Sequence, residues 1–137
     1  MLYEHFSLAP WEDFRWSNFK PQEFACPHCG EFWHDPEYFD RVQGIRTILN
    51  AGFSPNSAHR CLVHNRIVGG AINSEHKRIA IDIPIKSYGP KALLQAALDV
   101  GFATFGFYKT FLHVDLRPGR RWITNGGKQT WNSLVTF

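Results

Sequence analysis

Two stretches of the sequence decide the fold: residues 79–83 read IAIDI, and residues 111–117 read FLHVDLR. In both, aliphatic side chains alternate with other side chains, which is the period-two pattern of a half-buried β-strand. Asp82 lies on the face opposite to the isoleucines, and His113 and Asp115 lie on the face opposite to the aliphatic residues of the second strand. The pattern therefore predicts a sheet with one apolar face and one face that carries ionisable groups.

Two helices are predicted beside these strands. Asp35 followed by Pro36 is typical of a helix start, and apolar residues at helical spacing then predict a helix over residues 36–50, with Gly52 as its stop. A second apolar face predicts a helix over about residues 90–100.

The remaining segments complete the predicted architecture. Residues 105–108 form a third predicted strand, joined to the FLHVDLR strand by a turn at residues 109–110, and residues 53–75 have the composition of loops. Residues 1–34 form an irregular segment that is rich in aromatic residues and contains cysteine. We therefore predict one α+β domain over residues 1–137, with a small, mainly antiparallel sheet, helices on one side and the site on the other.

Composition excludes several classes of protein. The 137 residues are 44% hydrophobic and 20% charged, which is typical of a globular chain rather than a disordered one. The net charge is +3 without a basic stripe, so nucleic-acid binding is not expected, and no apolar run is long enough to span a membrane. The first ten residues lack the pattern of a secretory signal peptide. Seven histidines and three cysteines make a metal site the first hypothesis.

The sequence around the first strand carries a more specific pattern. Ser74, His76 and Asp82 follow one another in the order Ser-x-His…Asp, and His113 follows on a later strand. Together with residues 60–65 upstream, this pattern resembles the zinc peptidases of the D-alanyl-D-alanine carboxypeptidase family, which includes phage L-alanyl-D-glutamate endopeptidases. The resemblance implies the hedgehog/DD-peptidase fold and a peptidase similar to subfamily A of the M15 peptidases.

The resemblance extends over about residues 19–122 and implies that His76, Asp82 and His113 bind a catalytic Zn²⁺. Two imidazoles and one carboxylate leave one zinc position open for water, which zinc activates for attack on a carbonyl. The sequence departs from the family's pattern in two ways. The spacing between the first two ligands is one residue shorter, and Thr110 stands where many relatives carry the acidic general base.

Asp115 is our predicted substitute for that base, because it shares a strand face with His113. Two alternatives stay open for this carboxylate. It could orient a metal ligand, or it could form a structural ion pair with Arg117 or Arg60.

Four residues are candidates for contact with the substrate. Arg60 matches an arginine of the relatives and could contribute to catalysis or pair with a peptide carboxylate, although a structural ion pair is an equal alternative. Ser74 is expected to shape the loop that holds His76 or to touch the substrate. Tyr108 and His59 can each donate a hydrogen bond to a developing oxyanion.

The three cysteines suggest a second metal site. Cys26 and Cys29 form a CxxC turn, and Cys61 with either His34 or His28 would complete four ligands, with His34 as our first choice. The alternative is that the cysteines are reduced or partly paired thiols.

The predicted function is zinc-dependent hydrolysis of a stem-peptide bond in peptidoglycan, of the D-Ala-D-Ala or the L-Ala-D-Glu type. The resemblance to small phage members suggests an endolysin or a virion-associated cell-wall hydrolase, located in the virion or the host cytoplasm. Phage tail proteins are the expected protein partners. Two alternatives are a non-catalytic zinc-binding module and a virion structural protein with the same fold.

Overall fold

The computed structural model describes residues 1–55, 57–70, 74, 79–86 and 88–135. Its helices are α1 (Pro36–Leu49), α2 (Leu62–Ile67), α3 (Pro90–Asp99) and α4 (Asn125–Trp131). Its strands are β1 (Leu2–Tyr3), β2 (Phe32–Trp33), β3 (Ala80–Pro84), β4 (Thr104–Phe107), β5 (Phe111–Asp115) and β6 (Arg121–Ile123). Among these residues, no helix combines the length and the hydropathy needed to cross a membrane.

The central sheet has four strands in the order β3-β5-β4-β6. Strand β5 pairs antiparallel with both β3 and β4, and β6 runs parallel to β4 along the other edge. Strands β1 and β2 form a separate antiparallel pair. Helix α1 packs on α3, which in turn packs on β5. The predicted α+β class with a small, mainly antiparallel sheet is confirmed.

The apolar face of the sheet forms the core with the helices and the N-terminal aromatic residues. On the sheet, every second side chain of β3 and β5 is fully buried, namely Ile81, Ile83, Leu112 and Val114. On the helices, the fully buried side chains include Val42 and Ile45 of α1, Leu93 of α3 and Trp131 of α4. The burial of these side chains fixes the register, because a slip by one residue would turn each aliphatic side chain to the opposite face. The ionisable residues of β3 and β5 therefore face away from the core.

Helix α1 follows the local signals closely at its start. The Asp35 side chain accepts a hydrogen bond from the Tyr38 amide at 3.2 Å, and Pro36 occupies the first turn. The helix ends within one residue of the predicted end, but the residue that stops it is Asn50, which adopts the left-handed conformation with φ 49°, rather than Gly52.

Three short elements between residues 62 and 131 differ from the sequence-based expectations. Helix α2 lies inside the predicted loop over residues 53–75, and it is initiated by Cys61, whose sulfur accepts a hydrogen bond from the His64 amide at 3.3 Å. Strand β6 and helix α4 were not predicted. Helix α4 contains two adjacent glycines, which weaken any helical pattern in the sequence.

Candidate active site

The register of β3 and β5 brings the predicted site residues together. Asp82 on β3 pairs directly with His113 on β5, and Ala80 pairs with Asp115. On the other side of β5, His113 is opposite Gly106 of β4. The sheet therefore places two predicted metal ligands side by side on two hydrogen-bonded strands.

The His113 ring lies between two carboxylates. Its Nδ1 is 3.0 Å from Asp82 Oδ1, and its Nε2 is 2.8 Å from Asp115 Oδ2. Burial lowers the pKa of His113, but the hydrogen bonds with Asp115 and Asp82 outweigh burial, and the pKa is raised overall. The Trp122 ring packs against the imidazole with 5.1 Å between ring centroids. The orientation of the ring is thus fixed on three sides.

Asp115 is completely buried and its two oxygens are both engaged. The Arg117 backbone amide and Nε donate to Oδ1 at 2.9 and 3.0 Å, and Nη2 donates to Oδ2 at 2.7 Å. Burial alone would raise the pKa of Asp115, but the hydrogen bonds from His113 and Arg117 hold it well below its usual range. This geometry favours the two alternatives in which Asp115 orients a ligand and pairs with Arg117 over the role of general base.

The donor set at Asp82 and His113 fits a metal ion. An ionised Asp115 can only accept hydrogen bonds, so Nε2 of His113 carries the proton. The raised pKa of His113 favours a second proton on Nδ1, which faces the Asp82 carboxylate at 3.0 Å, and a cation that displaces this proton would meet the Nδ1 lone pair and a carboxylate oxygen. Two acceptors at this distance repel each other unless a proton or a cation lies between them. His76, the third predicted ligand, lies outside the described residues, so the complete ligand set stays a prediction.

Arg60 lies at the same site. Its Nη2 donates to the Ser74 hydroxyl at 2.9 Å, while its Nε is buried and has no hydrogen-bond partner among the described residues. Burial lowers the pKa of Arg60, and attraction to Asp82 and Tyr108 opposes this without cancelling it. Because the guanidinium as a whole is only partly buried, its planar group is suited to binding a carboxylate of a ligand.

Tyr108 and His59, the two candidates for oxyanion stabilisation, differ in their surroundings. The Tyr108 hydroxyl accepts a hydrogen bond from Trp122 Nε1 at 3.1 Å, and Tyr108 is only partly buried. His59 is buried, and its Nε2 is 2.8 Å from Glu31 Oε1. The contact with Glu31 favours a structural role for His59, whereas Tyr108 keeps its own proton to donate.

The three cysteines form a second group of possible metal ligands, and the histidine in this group is His28 rather than His34. The ligand atoms of Cys26, His28, Cys29 and Cys61 all lie within 4.8 Å of one another, and none of the three cysteines forms a disulfide. His34 is not a member, because its ring is buried among aromatic side chains such as Trp16. His28, the other alternative, takes its place.

Two residues of the site were not recognised in the sequence. Trp122 contacts the His113 ring from β6, a strand of three residues that is too short to give a pattern. Gly106 faces Trp122 so closely that a Cβ atom would lie 2.5 Å from Trp122 Cζ2. The only signal in the sequence was a glycine inside a predicted strand, since such a glycine often marks a position where another group comes close to the strand backbone.

Comparison with known families gives one match. The family described as Peptidase M15 matches residues 17–115, a range that includes Asp82, His113 and all three cysteines. A search of curated proteins found no match.

Proposed function

Because the chain belongs to the peptidase M15 family and is therefore a metallopeptidase, we propose that it hydrolyses a stem-peptide bond of peptidoglycan, with Zn²⁺ bound by His76, Asp82 and His113. The observation that carries the proposal is the direct pairing of Asp82 with His113, whose oxygen and nitrogen face each other at 3.0 Å. Both residues lie on the polar face of the sheet within the region that matches the family.

A bound zinc ion would supply a water of lowered pKa and would polarise the scissile carbonyl. The residues of the chain prepare the site for that chemistry. Asp115 holds the proton on Nε2 of His113, so that Nδ1 is left as a ligand atom. Arg117 fixes Asp115 in turn through three hydrogen bonds, and Trp122 prevents the imidazole from rotating.

Arg60 and Tyr108 are the proposed substrate-binding residues. The partly buried guanidinium of Arg60 would pair with a carboxylate of the stem peptide, with Ser74 holding the group in place. The Tyr108 hydroxyl can donate its proton to the oxygen on which charge develops, since it only accepts from Trp122. Both types of candidate bond, D-Ala-D-Ala and L-Ala-D-Glu, have a carboxylate near the bond that is cut.

We further propose that the enzyme acts in a phage or prophage, as an endolysin or as a virion-associated hydrolase that contacts tail proteins. The support for this setting is the resemblance of the strand motif around His113 to small phage members of the family. It is a separate proposal from the reaction itself.

A non-catalytic zinc-binding module is the second candidate. Thr110, at the position of the usual acidic base, is exposed in the turn before β5 and has no carboxylate. A protein that kept the metal site for binding would not need that carboxylate.

Digestion of purified peptidoglycan separates the two candidates. The zinc-loaded protein is expected to release new amino termini, the release should stop with a chelator, and added zinc should restore it. Mass analysis of the released muropeptides then identifies the bond. Intact peptidoglycan in the presence of stoichiometric zinc would support the binding module and reject the peptidase.

A further inference from the structure

Cys26, His28, Cys29 and Cys61 form a cluster that shares no residue with the site on β3 and β5. Their four ligand atoms lie within 4.8 Å of one another, and Cys61 Sγ is 3.7 Å from His28 Nδ1. Zinc bonds of about 2.3 Å to sulfur and about 2.0–2.1 Å to nitrogen, at tetrahedral angles, would place such a pair about 3.6 Å apart. The Cys61–His28 pair therefore already has the spacing of two zinc ligands, and the other ligand atoms of the cluster lie within 4.8 Å of one another.

One backbone amide near the cluster is directed toward sulfur. The His64 amide donates a hydrogen bond to Cys61 Sγ at 3.3 Å. The turn closes with a hydrogen bond of 2.8 Å from the Gly30 amide to the Cys26 carbonyl. An amide donor beside sulfur stabilises negative charge on it, and the thiolate is the form that binds a metal.

Gly30 is required by the same turn. Its φ of 81° lies in the left-handed region, and a Cβ atom there would come 2.5 Å from Cδ2 of His5. Cys-x-x-Cys followed by a left-handed glycine therefore folds a compact turn that leaves both sulfurs on the side of Cys61.

We propose that Cys26, His28, Cys29 and Cys61 bind a second zinc ion with a structural role. Three thiolates and one imidazole fill the four positions of tetrahedral zinc, so no position is left for water or substrate. This site is independent of the proposed peptidase reaction and uses none of its ligands.

The ion would connect two segments that are distant in the sequence. It would join the turn at residues 26–29 to Cys61, the residue that directly precedes α2. The contact between Glu31 and His59 links the same two segments of the chain. Cys61 directly follows Arg60, whose guanidinium reaches Ser74. The second zinc would therefore fix the backbone that carries the substrate-binding arginine.

Cobalt substitution tests the site without depending on activity. Co²⁺ bound by thiolates gives a sulfur-to-cobalt charge-transfer band, whereas a site of histidine and carboxylate ligands gives none. We expect this band to appear when Co²⁺ is added to the reduced full-length protein. Its final intensity should correspond to one Co²⁺ ion bound by thiolates per chain. Absence of the band in reduced, folded protein would overturn the proposal.

Variants identify the ligands. Cys29→Ser should weaken the charge-transfer band and His28→Gln should lower cobalt affinity about 10-fold or more, whereas His64→Gln should behave like the wild type. His64 is the matched control, because its ring stacks beside His28 but lies outside the cluster. Equal effects of His28→Gln and His64→Gln would contradict the assignment of His28.

Alkylation of the wild-type protein covers the case in which a variant does not fold. Zinc should protect Cys29, the exposed cysteine, from iodoacetamide in the native protein, and a chelator should restore its alkylation. Alkylation that is equally fast with and without zinc would reject the site, and so would a disulfide found by mass spectrometry in protein purified under reducing conditions. Because these readouts need no hydrolysis, they fail or succeed separately from the peptidase proposal.

Discussion

Asp115 accepts hydrogen bonds from His113 and Arg117, and this arrangement distinguishes an orienting carboxylate from a general base. In Asp115→Asn, the amide oxygen would take the place of Oδ1, which accepts two of the Arg117 bonds, and the NH₂ group would face Nε2 of His113. The imidazole proton would then move to Nδ1 and block the metal position. We expect zinc affinity at this site to fall about 10- to 100-fold, as measured by competition with a chelator.

The two roles of Asp115 predict opposite outcomes for that variant. Loss of turnover with unchanged zinc affinity would show that Asp115 is the base and would contradict the orienting role. Arg66→Gln, a change at an exposed position of α2, serves as a control and should leave both quantities unchanged.

Arg60 is the residue for which we predict an effect on substrate binding. Arg60→Lys keeps the positive charge but loses the planar donor group, so KM should rise about 10-fold with a smaller change in kcat. Steady-state kinetics on a soluble stem-peptide fragment measures both constants. An unchanged KM would assign Arg60 to the structural alternative.

At the scale of elements, strands β4 and β6 support the site through a glycine. In Gly106→Ala the new methyl group would collide with Trp122 Cζ2 and move the indole away from His113. We expect a loss of about 1–3 kcal/mol in the free energy of unfolding, measured by urea denaturation, and a changed tryptophan fluorescence. Gly52→Ala is the matched control, because an added Cβ there meets nothing within 4 Å. Equal stabilities of the two variants would contradict this packing.

Helix α1 is tied to the N-terminal segment by an ion pair that should respond to pH. Hydrogen bonds from Arg15 lower the pKa of Asp40, against the opposing effect of burial. The folded-state pKa is thus below that of the unfolded chain, so the pair stabilises the fold above about pH 4 and the stabilisation is lost as the pH falls.

Asp40→Asn tests this dependence while it keeps an acceptor for Trp16 Nε1. The wild type should exceed the variant in free energy of unfolding at pH 7, and the difference should shrink at pH 3. The effect should be small, because both partners are exposed to solvent. A difference that is the same at both pH values would show that Asp40 does not act through its charge.

For the molecule as a whole, the sequence predicted what depends on local patterns. Alternation along residues 79–83 and 111–117 predicted which side chains share a face, and Asp35-Pro36 predicted the start of α1. The match over residues 17–115 confirms the resemblance to M15 peptidases at the level of the family. These features could be predicted because periodicity and capping act over a few residues.

Features that depend on tertiary contacts were not predictable. The pairing of β3 with β5 sets Asp82 opposite His113, and nothing local in either strand fixes that register. The choice between His28 and His34 depends on how the CxxC turn folds against Cys61. Helix α4 was missed because Gly127 lowers its helix propensity, yet Gly127 packs against the Phe107 carbonyl, where a Cβ atom would not fit.

Asp82 and His113 are proposed to hold the metal on which hydrolysis of peptidoglycan depends. The most direct measurement is the rate at which zinc-loaded Asp82→Ala releases amino termini from purified peptidoglycan, compared with Asp99→Ala, which changes an exposed carboxylate at the end of α3. We predict that Asp82→Ala falls to the rate seen with chelator, while Asp99→Ala retains the wild-type rate. Hydrolysis by Asp82→Ala at the rate of Asp99→Ala would show that Asp82 does not hold the catalytic metal.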